Sequence, residues 1–231
     1  MNAEAEVKID RDLAKKVLAV VDAGLVSGLG KPKPGQMCVE AAVNYAMGRD
    51  HGDNPSCVGS AVRAFKIRLN DAPWPSNKER TDGMRKLAIA QLGSDQINQR
   101  AFADYVVIET VKRLLPLSLR AAASVIPAHK DALEGAAAAC EVIVDLSSAR
   151  AAARAANEKA LAARAYAAAT YAYAAAYAAA DAAATYAAAA AAAKKRFSEL
   201  RLQVLQLSAQ IGLEALQKLK SPGCEWLDLC E

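Results

Sequence analysis

The residues best suited to chemistry gather early in the chain. Cys38, His51 and Asp53 are the types of a thiol nucleophile, its base and the group that orients that base. Cys38 stands where a glycine-bearing loop opens into a helix-forming stretch, a place where free backbone amides can lower a thiol pKa. The same cysteine also reads as a small core residue, because Met37-Cys38-Val39-Glu40-Ala41-Ala42-Val43 is largely apolar. Asp50 and Asp53 form a carboxylate pair of the kind that binds a cation. No third ligand accompanies them, so neither a metal nor a cofactor is expected.

A second chemistry is anion binding. Gly28-Leu29-Gly30-Lys31-Pro32-Lys33-Pro34-Gly35 can expose backbone N–H groups, leads into a helix start, and adds positive charge at Lys31 and Lys33. It lacks the GxxxxGK[ST] spacing of a P-loop. On the third predicted helix Arg63, Lys66 and Asn70 share one face, opposite Val62, Phe65 and Leu69. With Arg80, Arg85 and Lys86 they would form a basic wall, or simply a solvated charged face. Far along the chain, Tyr166, Thr170, Tyr173, Tyr177 and Asp181 recur at steps of four, three, four and four. That places them on one helix face, where hydroxyls could meet a ribose and rings could stack on a base. Tyrosines that merely fill space between alanine surfaces would show the same spacing.

These residues need helices to position them. Asp10 to Ala23 has helical apolar period with an aspartate to cap it, and Gly24 ends it. Further helices are predicted at about Met37 to Met47, Val58 to Leu69 and Lys78 to Leu92. Ser94 is expected to cap a fifth, which Pro116 interrupts. Trp74, in the turn Asn70 to Pro75, is expected to plug into the body of the domain, and Trp226 to dock the tail. Beyond Ala128 alanine takes over, and Leu133 to Leu219 has no proline. As one helix it would run roughly 130 Å at 1.5 Å per residue. A reversal is therefore expected near Asp145-Leu146-Ser147-Ser148 or Lys194-Lys195-Arg196. Two domains follow, expected to share a core: a compact helical one over residues 1–127, and an alanine-rich helical bundle or hairpin with a short docked tail over 128–231.

The composition agrees with an all-α fold. Hydrophobic residues make up 54% of the 231, but much of this is alanine, and aromatics are only 5%. Alanine buries little area and has the highest helix propensity, so close helix approach must supply stability. The net charge of +4 is dispersed, with no basic stripe or reading motif for duplex nucleic acid. The tract Ala165 to Ala193 lacks Leu, Ile, Val and Phe and carries Asp181 in mid-span, so it is not read as a membrane span. The acidic first residues do not resemble a signal peptide. Five irregularly spaced cysteines fit neither a disulfide framework nor a zinc site. A cytoplasmic location with reduced thiols is the expectation.

Two resemblances can be stated on these residues. Leu13 to Leu92 resembles a family of small helical proteins with no assigned activity. The likeness runs through Cys38 and Ala42, the Asn70-Asp71 turn with Trp74, and the Arg80-Thr81 step into the next helix. It implies an all-α fold and nothing more. The part from His129-Lys130-Asp131-Ala132-Leu133-Glu134 through the Ala/Arg/Tyr tract is similar to alanine-rich immunity proteins of bacterial toxin systems. That resemblance implies binding and neutralising a partner.

The expected function is a non-enzymatic binding protein that sequesters an anionic small molecule, a nucleotide signal of bacterial antiviral defence being the natural example. Lys31, Lys33, Arg63 and Lys66 would hold phosphate, and the hydroxyl stripe the base or ribose. Alternatives are a protein-binding immunity factor and a hydrolase using Cys38. The smooth alanine helices could also build a homodimer.

Overall fold

The carboxylate of Asp10 accepts the amide hydrogens of Asp12 and Leu13 and so starts helix α1, Arg11–Asp22, where the sequence predicts it. The computed structural model describes residues 8–177 and 182–231, with side chains for 8–163 and 198–231. Among these every regular element is helical: α2 (Val39–Ala46), α3 (Ser60–Asp71), α4 (Asn77–Ala90), α5 (Gln99–Glu109), α6 (Leu115–Ala123), α7 (Lys130–Glu141), α8 (Leu146–Tyr177) and α9 (Ala182–Lys218). The fold class is all-α. No helix among the described residues is long and apolar enough to cross a membrane.

One local prediction needs correction. Ser94 does not cap α5; it opens a three-residue 3-10 turn, and its buried hydroxyl accepts the Gly59 amide. Asn98 caps α5 instead, accepting from Ala101. Near Pro116 the α-helix is interrupted as expected: α5 ends at Glu109 and α6 begins at Leu115. Pro116 sits in the first turn of α6, after a π-helical stretch Thr110–Leu114 that absorbs the missing N–H. The reversal at Asp145 to Ser148 is present, with Asp145 accepting from the Ser148 amide. No reversal occurs at Lys194 to Arg196, which lie within α9.

The chain forms two compact units. One gathers residues up to Val106 together with Leu205–Glu231; the other holds Val107–Val204. They divide the chain elsewhere than at residue 127, because the large apolar residues at the end of α9 return to the first core. Ile211, Ala215 and Leu216 are fully buried there with Val17, Val21, Val43, Val62, Met84 and Leu87. Gly212 marks the closeness of this return: a Cβ on it would stand 2.4 Å from the Phe65 ring. Phe65 in turn meets Phe102 edge-on at 5.9 Å. The tail, a 3-10 segment Pro222–Cys230, lies on α4 and α1. Ser221 donates its hydroxyl to the Ala90 carbonyl and Gly223 its amide to that of Leu92, satisfying carbonyls at the end of α4.

In the second unit α6 packs on α7 and α7 on α8. Its core is lined by Leu119, Leu133, Ala137 and Cys140, and by Ala149, Ala156 and Ala163, which recur every seven residues along α8. Alanine at each of these steps lets the backbones approach closely. Arg120 fastens α6 to α7 through a two-pronged pair with Glu141, at 2.5 and 2.9 Å, and a longer one with Glu134.

Candidate functional site

Three places in the first unit bring polar or charged groups together: the glycine loop, a buried ion pair beneath it, and a cleft beside α4. The loop closes on itself. Val26 donates to the Met37 carbonyl, Lys31 to Gln36 and Cys38 to Leu29. The Gly28 amide donates to the Asp71 carboxylate at 2.7 Å, and the Val39 amide, at the head of α2, to the Asn70 side chain. An anion in the loop would compete with these protein acceptors, Asp71 among them an anion already. Lys31 and Lys33 are exposed on the loop's outer edge.

The Asn70-Asp71-Trp74-Arg80-Thr81 group explains itself as bracing. Asn70 also donates to the Val26 carbonyl, Arg80 to the Asn70 carbonyl, Trp74 to the Leu69 carbonyl, and the Leu25 amide donates to the Thr81 hydroxyl. Together they pin the loop to α3 and α4. Trp74 is buried against Gly83, as expected of a plug.

Lys66 does not belong to an exposed basic face. Lys66 and Asn70 point inward with Val62 and Leu69, and Lys66 is wholly buried beside an equally buried Glu40, 3.6 Å away. Burial pushes the Glu40 carboxyl up and the Lys66 amine down, each opposed by attraction to the other. Arg63 is half-buried and reaches the Asn54 side chain. The proposed phosphate holders thus do not converge: Lys31 and Lys33 are outside, Arg63 is engaged, and Lys66 is sealed in the core.

The expected lowering of the Cys38 pKa is also corrected. Cys38 is the N-cap of α2, its sulfur accepting the Ala41 amide at 3.4 Å, and it is buried. Desolvation pushes the thiol up, and the charges of Glu40 and Asp53 add to this; the backbone amides pull the other way and lose. Cys38 and Asp53 both line a chamber of about 20 Å³, together with Gly28, Glu40 and Asn70. His51 instead contacts the Gly30 carbonyl at 3.2 Å through Nε2. A carbonyl only accepts, so that nitrogen carries the proton. All five thiols are unpaired with one another and raised by burial, those of Cys57 and Cys224 to about 11. Among the described residues no group of three or more His, Cys, Asp or Glu is placed to hold a metal.

Tyr166, Thr170, Tyr173 and Tyr177 lie on the backbone of α8, but their side chains, and Asp181 altogether, fall outside the described residues.

The cleft is a concavity of about 340 Å³. One wall is α4, with Asp82, Gly83, Arg85, Lys86 and Leu87; the other is the end of α9, with Gln206, Ala209, Gln210 and Leu213; Cys230 closes one end. The Arg85 guanidinium is fixed by Asp22, at 2.6 and 3.0 Å, and by the Cys230 carbonyl at 2.8 Å. Arg85 and Lys86 are visible in sequence as cations, whereas Gln206 and Gln210 lie some 120 positions further on with no motif to join them to α4. Only the return of α9 makes them neighbours. Comparison of the chain with protein-family models, with curated proteins and with solved structures gives no match.

Proposed function

We propose that the protein is a non-enzymatic binder of an anionic small molecule of nucleotide type, held in the cleft between α4 and α9. The cleft itself carries this reading. Its volume of about 340 Å³ falls within the range of ligand sites, and its lining combines an apolar floor with a few polar side chains and two cations. Leu87, Ala209 and Leu213 supply the floor, and Arg85 and Lys86 take the place that the sequence assigned to Arg63 and Lys66. The muted thiols favour binding over nucleophilic catalysis, since a buried, raised thiol at pH 7 holds its proton. A protein that binds such a molecule unchanged acts by lowering its free concentration.

Native mass spectrometry with a panel of mono-, di- and cyclic nucleotides tests the proposal. At least one nucleotide should add its mass to the protein, and Lys86→Ala should remove that adduct without altering the circular dichroism spectrum. No adduct across the panel, or an adduct indifferent to Lys86, would refute it.

A second reading, a protein-binding factor, has one observation behind it. Val142 and Val144, on the turn between α7 and α8, are 76% and 85% exposed. Val142→Ser with Val144→Ser should then abolish capture of a protein partner and leave nucleotide adducts untouched.

A further inference from the structure

The charges and amides around the cleft restrict what kind of anion can enter it. We propose that the cleft takes a monoanion of mononucleotide size, a phosphodiester such as a 3′,5′-cyclic mononucleotide rather than a nucleoside di- or triphosphate. This rests on the binding reading given above.

The first observation is charge. Three ionisable side chains other than the thiol line the cleft: Asp82, Arg85 and Lys86. Asp82 is paired with Lys78 at 2.6 Å, and Arg85 with Asp22 at 2.6 Å. Three of the five N–H bonds of Arg85 are engaged, two by Asp22 and one by the Cys230 carbonyl. Lys86 is exposed and enters no ion pair with a described residue. One positive charge is thus left unmatched. A singly charged phosphodiester neutralises it. A triphosphate, carrying about four negative charges at pH 7, would leave most of them facing Asp82 and Asp22 without compensation, and like charges brought together cost affinity.

The second observation is the pair of amides. Gln206 and Gln210 stand one helical turn apart on α9, both in the cleft wall. Gln210 donates its Nε2 to Glu214 at 3.1 Å, which leaves its carbonyl oxygen to accept. Gln206 can present both a donor and an acceptor. Such a set matches the donor and acceptor atoms on the edge of a nucleobase. Ala209 and Leu213, on the same wall of the cleft, offer the apolar surface against which its ring would lie.

The third observation is size. A volume of about 340 Å³ is at the small end of ligand sites, enough for one base, one sugar and one phosphate. A cyclic dinucleotide, about twice that bulk, would overfill it.

Titration calorimetry on the full chain at fixed ionic strength tests the inference, comparing cyclic mononucleotides, nucleoside 5′-triphosphates with the same bases, and cyclic dinucleotides. At least one cyclic mononucleotide should bind tenfold or more tightly than its triphosphate and than any dinucleotide. Lys86→Ala should weaken that binding at least tenfold while Lys86→Arg keeps it, and Gln206→Ala should change the preference among bases. Because Lys86 and Gln206 are exposed, neither change removes a core contact, and unchanged thermal unfolding would verify that. A triphosphate or dinucleotide binding as tightly as the cyclic mononucleotide overturns the inference and leaves the binding reading standing. Binding of no nucleotide overturns both.

Discussion

Glu40 and Lys66 face each other in the first core with no exposure to solvent, so each depends on the other for its charge. Removing one partner leaves an uncompensated buried group. Lys66→Met should cost ~3–5 kcal/mol in urea unfolding, whereas Glu40→Leu combined with Lys66→Met should recover most of the loss. The pH dependence has a definite sign. In Lys66→Met the attraction that opposed the upward shift of Glu40 is gone, so the folded state keeps that proton well above the ordinary value of 4.5. Above pH 4.5 the folded variant then binds more protons than the unfolded one, and its deficit relative to the parent should widen from pH 5 to pH 8. An equal deficit at both pH values would show that Glu40 does not titrate this way. The thiols give a second check at this scale: iodoacetamide at pH 8 should label Cys38 and Cys57 slowly until denaturant is added, since both are buried and raised. Fast labelling of Cys38 in the native protein would restore the nucleophile reading. The sequence showed Cys38 at a helix start but not that the loop would cover it. It showed Lys66 as a cation, although Val62, Lys66, Leu69 and Asn70 have the spacing of a buried stripe.

Helices and turns follow local rules, and these were legible. Asp10 and Gly24 punctuate the chain where they stand, the glycine with positive φ. Ser94 misled because a serine has two uses: it can cap a helix or satisfy a distant amide. The bracing of the glycine loop was legible only as a run of unusual residues, since the bonds of Leu25 to Thr81, Gly28 to Asp71 and Asn70 to Val26 join positions 43 to 56 apart. The close contacts of that region lead to a prediction. Gly30 has φ +74°, and a Cβ on it would stand 2.0 Å from the Gln36 carbonyl oxygen. Gly30→Ala should therefore lose about 1–3 kcal/mol of stability, while Gly28→Ala, with open space around it, should lose only the smaller cost of its own positive φ. Paired denaturation curves decide this, and equal losses would mean that the loop relaxes freely.

At the scale of the whole molecule, composition pointed to a boundary near residue 127, whereas the core belongs to segments from both ends of the chain. Arg11 and Asp228 form an ion pair, and Leu205, Ile211, Leu213 and Leu216 are buried in the same unit as α1. Alanine content records how closely helices can pack, not which helices pack together; the large apolar residues Leu205, Ile211 and Leu216 mark the end of α9 as a core segment without naming the helices it joins. A chain ending at Val204 should accordingly lose the cooperative unfolding transition of the first unit, read by tryptophan fluorescence from Trp74. A retained transition would show that the first unit folds without residues 205–231. The cleft would vanish with the same truncation, because Gln206, Ala209, Gln210, Leu213 and Cys230 all come from the removed segment.

The split of the first core between distant stretches also sets an order of events during synthesis. A ribosome adding 5–20 residues per second needs roughly 5–20 s to make the hundred or so residues of Val107–Val204. Throughout that interval α1 to α4 are complete yet lack the apolar helix that covers them, while the alanine-rich unit, contiguous in the chain, can close as it emerges. The part made first is thus finished last, and for those seconds its unfilled groove is open to chaperones, proteases and other nascent copies.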